Sequence, residues 1–147
     1  MFVGSYKYSV DAKGRVSIPA KLRKNVNPEA NDNFMMTRAM DQCIVVYPMD
    51  LWKDTIETKI NQLDEFDETG NRFLRIYLQN AFDDTIDSQA RISLPQHLRN
   101  FAGIEKDALI IGAGKKIEIW NPTIYDEYLN ADSRTYTEIA KEVMNKR

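Results

Sequence analysis

Two stretches decide the fold when laid side by side: VDAKGRVSIPAKLR at residues 10–23 and IDSQARISLPQHLR at residues 86–99. They align without gaps at a constant shift of 76, and Asp11, Arg15, Ser17, Pro19, Leu22 and Arg23 are matched identically by Asp87, Arg91, Ser93, Pro95, Leu98 and Arg99. A fixed offset between similar segments is the mark of a duplicated structural unit. A weaker match follows in each half, where CIVVYPMDLW from Cys43 resembles KIEIWNPTIY from Lys116 at a shift of 73. The change of three residues implies a longer connection in the first copy.

Each copy reads as strand, helix and hairpin. In RVSIP, Val16 and Ile18 alternate with Arg15 and Ser17, the period of two expected of a strand with one buried face, so Arg15 points away from the core. Pro19 suits the first position of a helix, where a missing N–H costs nothing. PAKLRKNV is then a short helix halted near Asn25, Asn27 and Pro28, and PQHLRNFAGI repeats the plan, with Gly103 placed to take the left-handed conformation after the helix. FMMTRAM with CIVVYP, and DALIIGAG with KKIEIWNP, each read as two strands joined by a turn.

Outward from the repeats, Trp52, Ile56, Ile60, Leu63 and Phe66 recur at three- and four-residue spacing and predict one amphipathic helix with an acidic outer face. A second helix is expected from Asn71 to Phe82, with Gly70 and the acidic DEFDETG stretch as the break between the two. From Pro122 onward, Ile124, Tyr128, Leu129, Ile139 and Val143 predict one or two further helices. Phe34, Trp52, Phe73, Tyr77 and Trp120 are expected to fill the core. The expected organisation is a single intertwined body over 1–147, with repeat 1 at 5–50, a helical connector at 51–80, repeat 2 at 81–124 and a helical tail at 125–147. No Pro/Gly/Ser-rich linker parts the halves, and a unit of about 45 residues seldom stabilises itself alone.

Hydrophobic residues make up 43% of the 147 and charged residues 29%, which excludes a disordered or fibrous class. The absence of an apolar run long enough for a membrane span, and of a signal-peptide start, predicts a cytoplasmic protein. Cys43 is the single cysteine, so no internal disulfide is possible, and His97 is the single histidine, so neither a Cys–His nucleophile nor a His-based metal site assembles. The net charge of −2 argues on its face against a nucleic-acid partner. Its distribution argues the other way. Residues 1–25 carry Lys7, Lys13, Arg15, Lys21, Arg23 and Lys24 against Asp11 alone, whereas residues 50–70 hold seven acids and two lysines. A solvated face carries such blocks too.

The repeated D-x-x-x-R is the strongest local signal. An Asp before a tight turn accepts hydrogen bonds from backbone N–H groups two residues on, and Gly14 supplies the positive φ such a turn requires. Asp11–Arg15 and Asp87–Arg91 read equally as ion pairs that staple the turns, worth about 1 kcal/mol or less if exposed. For the basic residues Lys7, Lys13, Arg15, Lys21 and Arg23 a DNA-facing role is favoured, because they flank one short strand and helix, and arginine's planar fork matches phosphate and guanine edges. GAGKK at residues 112–116 lacks the spacing of a phosphate loop and reads as a hairpin turn. No catalytic constellation, metal site, cofactor or small-molecule substrate is indicated.

DAKGRVSIPAKLR resembles the signature of the AbrB/MazE/SpoVT DNA-binding superfamily. Two such units in one chain, with the MFVG start, the Tyr47-Pro48 pair and the EIW of residues 118–120, resemble the MraZ family. The resemblance implies an α+β fold in which two tandem AbrB-like swapped-hairpin units form one β-barrel core with flanking helices. It implies a ring-shaped homo-oligomer that binds double-stranded DNA, nucleoid-associated, at repeated promoter boxes of the division and cell-wall gene cluster, its own operon included. It also implies that Lys13 and Arg15 face DNA, with Lys21 and Arg23 as neighbours. The second motif departs from the family's pattern, with Ala90 where a glycine commonly precedes the arginine, which leaves a DNA role for Arg91 open. An antitoxin-like protein with a toxin partner is the alternative.

Overall fold

The computed structural model describes residues 1–146. Strands β1 (Ser5–Ser9), β2 (Arg15–Ser17), β3 (Asn33–Arg38) and β4 (Ile44–Pro48) belong to the first half, with helix α1 (Ala20–Arg23) between β2 and β3. Helix α2 (Met49–Leu51), a π-helical segment (Trp52–Glu57), α3 (Thr58–Asn61) and α4 (Glu68–Gln79) form the connector. The second half holds β5 (Phe82–Thr85), β6 (Arg91–Ser93), α5 (Gln96–Ala102), β7 (Asp107–Ala113) and β8 (Lys116–Trp120), followed by α6 (Pro122–Ala131) and α7 (Tyr136–Met144).

The duplication seen in the sequence becomes a local two-fold in space. Val16 and Ile92, equivalent at the shift of 76, face each other at the centre of an antiparallel β2–β6 ribbon. Val45 and Glu118, equivalent at the shift of 73, face each other at the centre of the β4–β8 pair. The two repeats are therefore joined strand to strand at both places. Around the β4–β8 seam a six-stranded sheet runs in the order β1-β7-β8-β4-β3-β5, so the first strand of each half pairs with the hairpin of the other. Among the described residues β1 and β5 remain edge strands, so pairing leaves this sheet open where the resemblance implied a barrel.

One apolar cluster draws on both halves: Val16, Ile18, Leu22, Phe34, Met36, Ile44 and Val46 pack with Ile92, Leu94, Leu98, Ile110, Ile117 and Ile119. Burying each such side chain contributes about 1.5–3 kcal/mol relative to leaving it in water. The strand alternation expected at β2 and β6 is present, with Val16 and Ile92 buried and their flanking residues half-exposed. A smaller cluster of Val45, Tyr47 and Trp52 lies on the opposite face of β4, under the connector helices.

Several expectations are corrected. Pro19 and Pro95 are the residues capping α1 and α5, with extended ψ of 138° and 148°, so they close the strand and leave the helix to begin one residue later. The helix expected through Phe66 stops at Asn61. Phe66 is 88% exposed beyond it, where the Asp64 carboxylate accepts from the Phe66 N–H in a local turn. Gly70 does not break a helix. It lies in the first turn of α4, where the Asp67 side chain accepts its N–H at 3.2 Å. Phe82, expected to end that helix, opens β5 instead, paired with Met36. Phe73 is 48% exposed rather than in the core. Gly103 (φ 68°) follows α5 as predicted, and the stretch 112–116 holds the tight β7–β8 hairpin, with residues 114–115 between the paired Ala113 and Lys116.

Candidate nucleic-acid interface

The two D-x-x-x-R segments fold into matching turns at opposite ends of the β2–β6 ribbon. In the first, Asp11 Oδ1 accepts from the backbone N–H of Lys13 (3.0 Å) and of Arg15 (2.8 Å), and Oδ2 accepts from Arg15 Nε (2.8 Å). In the second, Asp87 Oδ1 accepts from the N–H of Gln89 and Arg91 (both 2.9 Å), and Oδ2 from Arg91 Nε (2.9 Å). The same short side chain thus holds the turn backbone and aims the arginine four residues on. Both carboxyls are held below the ordinary value of 3.8, foremost by the N–H of Arg15 and of Arg91, because those bonds favour the charged form.

The geometry needs a positive φ just before each arginine, and Gly14 (80°) and Ala90 (62°) both adopt it. At Gly14 there is a second constraint: a Cβ would lie 2.7 Å from the Arg99 guanidinium, which would have to shift to admit it. Arg99 Nε in turn donates to the Leu94 carbonyl (2.9 Å), and its equivalent Arg23 donates to the Ile18 carbonyl (3.0 Å). The ribbon is closed by a symmetric pair of backbone bonds, Leu94 N–H to the Gly14 carbonyl and Ile18 N–H to the Ala90 carbonyl, both 2.9 Å.

The two arginines are not equivalent in surroundings. Arg91 Nη1 also approaches Asp11 Oδ2 at 3.6 Å, so Arg91 spans two carboxylates and is 24% exposed. Arg15 is held through Nε by Asp11 alone and is 30% exposed. The second turn has Asp83, Asp84 and Asp87 close by in sequence, and Asp84 Oδ2 accepts the Ser93 N–H at 2.8 Å.

Asp11, Gly14, Arg15, Asp87 and Arg91 are thus brought together on one ribbon. Lys13 is exposed at the tip of the first turn. Lys21 is exposed on α1, and Lys7 is exposed on β1 opposite Leu109 of β7. Arg23 is exposed but tied through Nε to the end of its own strand. Sequence reasoning missed Arg99, whose signal was its identical repeat of Arg23, and the Asp11–Arg91 approach, which depends on the pairing of distant strands. His97 is exposed and contacts the Asn80 carbonyl at 3.1 Å. Cys43 is buried, and burial pushes its thiol far up from its ordinary value. Among the described residues no group of three His, Cys, Asp or Glu side chains is arranged to hold a metal, and no helix is long and apolar enough to cross a membrane.

Fold and site define a class: an internally duplicated α+β protein whose two Asp-clamped arginine turns meet on a shared ribbon. The family model described as "MraZ protein, putative antitoxin-like" matches it twice, over residues 1–76 and 77–147. A protein named Transcriptional regulator MraZ from Natranaerobius thermophilus is 41% identical over 145 residues, 99% of this chain and 98% of the relative. Proteins of the same name from Alkaliphilus oremlandii (39% over 143 residues, 97% of this chain and 96% of the relative) and Carboxydothermus hydrogenoformans (37% over 145, 99% and 98%) are similar along their lengths. The chain belongs to the MraZ family.

Proposed function

We propose that this chain is a DNA-binding transcription regulator and not an enzyme, with the first turn of the β2–β6 ribbon as its reading head. The observation that carries the proposal is the Asp11 clamp. It presents Lys13, exposed, and Arg15, half-buried, from a rigid turn, with Lys7 and Lys21 exposed and basic on β1 and α1, while Arg23 lines the space beside Asp87 and Ala90 of the second turn. Arginine held by its Nε keeps its terminal nitrogens for a base edge or phosphate, and a flexible lysine neutralises phosphate. The names of the relatives support regulation of transcription.

The finer reading is that two swapped-hairpin units, 5–50 and 81–124, act as one intertwined barrel-like body, with 51–80 and 125–147 as helical additions. Copies of the chain assemble as a ring-shaped homo-oligomer on the nucleoid and engage repeated promoter boxes of the division and cell-wall gene cluster, including the chain's own operon. One small basic surface per copy gives modest affinity. Several copies on regularly spaced boxes multiply it through effective concentration. The acidic connector faces away and limits indiscriminate binding. Because Arg91 is engaged by two carboxylates, the second turn serves mainly as scaffold.

Anisotropy titrations with promoter DNA at several salt concentrations test this. Arg15→Ala is expected to weaken specific binding by roughly 1–3 kcal/mol for each base edge that the guanidinium pairs with, and Arg91→Ala by less. Equal affinities for wild type and Arg15→Ala would remove Arg15 from the interface. The antitoxin-like reading rests on the wording of the family description, and stoichiometric inhibition of a purified toxin by this chain would favour it.

A further inference from the structure

We infer that each clamped turn is completed by an arginine of the opposite repeat, so that Arg99 of the second half, and not Arg23 of the first, is the further DNA-contacting cation of the reading head. The inference deepens the DNA-binding role proposed above and rests on it. Arg23 and Arg99 are equivalent at the shift of 76 and stand at the same distance after Pro19 and Pro95. The antiparallel register of β2 and β6 sets Arg15 opposite Ser93 and Ser17 opposite Arg91, so the end of each strand lies beside the start of the other. An arginine in the helix that follows one strand therefore arrives at the turn that opens its partner.

At the first turn this brings Arg99 onto Gly14. A Cβ placed on Gly14 would fall 2.7 Å from both Cζ and Nε of Arg99 and 2.8 Å from Nη2, and distances so nearly equal mean that the guanidinium presents its face to the turn. Arg99 Nε is engaged by the Leu94 carbonyl at 2.9 Å, and the Leu94 N–H returns to the Gly14 carbonyl at 2.9 Å, which ties helix, strand and turn into one unit. Among the described residues Arg99 forms no ion pair, so its terminal nitrogens are left for a partner outside the chain. Two arginines are then held through Nε on one turn, Arg15 by a carboxylate and Arg99 by a carbonyl, with Lys13 exposed on the same turn. A planar fork already fixed through one nitrogen loses little freedom when it pairs with phosphate.

The second turn is built differently. Ala90 carries the methyl that Gly14 lacks, and Arg23 is exposed where Arg99 is half-buried. Arg23 lines a cavity of about 310 Å³ together with Asp32, Asp87, Ser88 and Ala90. The two carboxylates there oppose its charge. Arg23 thus sits near Lys21 in the sequence but serves the acidic turn in space, while Arg99 adds a cation to the basic one.

The test follows anisotropy of a labelled duplex, taken from upstream of the chain's own gene, as full-length chain is added at several salt concentrations, with a thermal melt of every variant. Arg99→Ala is expected to weaken binding about tenfold and to lower the slope of log affinity against log salt by about 1, whereas Arg23→Ala changes affinity by less than about twofold and leaves the slope as it was. Arg99→Lys, which keeps the charge without the anchored fork, should retain the slope and lose affinity. Gly14→Ala puts a methyl beneath the guanidinium, and adding Arg99→Ala to it should cost less than Arg99→Ala costs the wild type. Arg23→Ala weakening binding more than Arg99→Ala, while Arg15→Ala also weakens it, would overturn the exchange of arginines and leave the first turn as the reading head. An Arg99→Ala chain that melts earlier yet keeps the wild-type salt slope would overturn it too, because Arg99 would then be a strut. A duplex bound equally by wild type, Arg15→Ala and Arg99→Ala would remove the first turn from the interface, and this inference with it.

Discussion

At the residue scale, the positive-φ position before each arginine is where chemistry and backbone meet. Alanine in the left-handed region costs about 1–2 kcal/mol, and glycine returns about 0.5–1 of that through its greater freedom when unfolded. Ala90→Gly is therefore expected to stabilise the protein by about 0.5–1 kcal/mol, read as a rise of roughly 1–4 °C in Tm. Gly14→Ala should destabilise it, since the new methyl also meets the Arg99 guanidinium. The Asp11 and Asp87 carboxyls have depressed pKa values, so the stability they contribute is complete above the unfolded value near 3.8 and is lost as pH falls through the folded values. Denaturation followed by circular dichroism should show a flatter acid limb in Asp11→Asn and Asp87→Asn than in wild type. The roles of Asp11, Gly14 and Arg15 in the turn were readable because every bond involved spans four residues or fewer. Arg91's approach to Asp11 crosses 80 positions and left no local trace.

At the element scale, the segments with strong patterns were found and those without were not. β2, β6 and the two hairpins follow from alternation and turn residues, whereas β1 and β5 were missed. Their sequences, SYKYS and FDDT, are mostly polar and mostly exposed, so neither carries the apolar alternation that marks a strand with one buried face. The connector misled in a different way. Apolar spacing continued past Asn61, but Asp64 and Asp67 offer their carboxylates to nearby N–H groups and so stop one helix and start the next. Trp52 anchors this region: its ring lies 5.9 Å from those of Tyr47 and Tyr77, stacked on the latter, and Thr37 Oγ1 donates to the Tyr77 carbonyl at 2.8 Å. Trp52→Ala is expected to cost about 3–5 kcal/mol in chemical denaturation, and to loosen the connector more than the main core.

At the scale of the whole molecule, the repeat offset was the most informative single fact in the sequence, because it set which strands meet. Equivalent residues face one another at Val16–Ile92 and Val45–Glu118, and that pairing brings the two clamped turns onto one ribbon. The duplication then permits unequal duties, and the proposal gives the reading of DNA to the first turn and support to the second. Removing Lys13 should weaken binding to all sequences alike and reduce the slope of log affinity against log salt by about 1, whereas removing Arg15 should blur the choice of sequence. The central claim, that DNA meets the protein at the first clamped turn, is tested most directly by amide hydrogen exchange with and without promoter DNA. Slowed exchange in residues 11–18 on binding is the predicted result. Slowed exchange confined to α3, α4 or the second turn, with residues 11–18 unchanged, would contradict it.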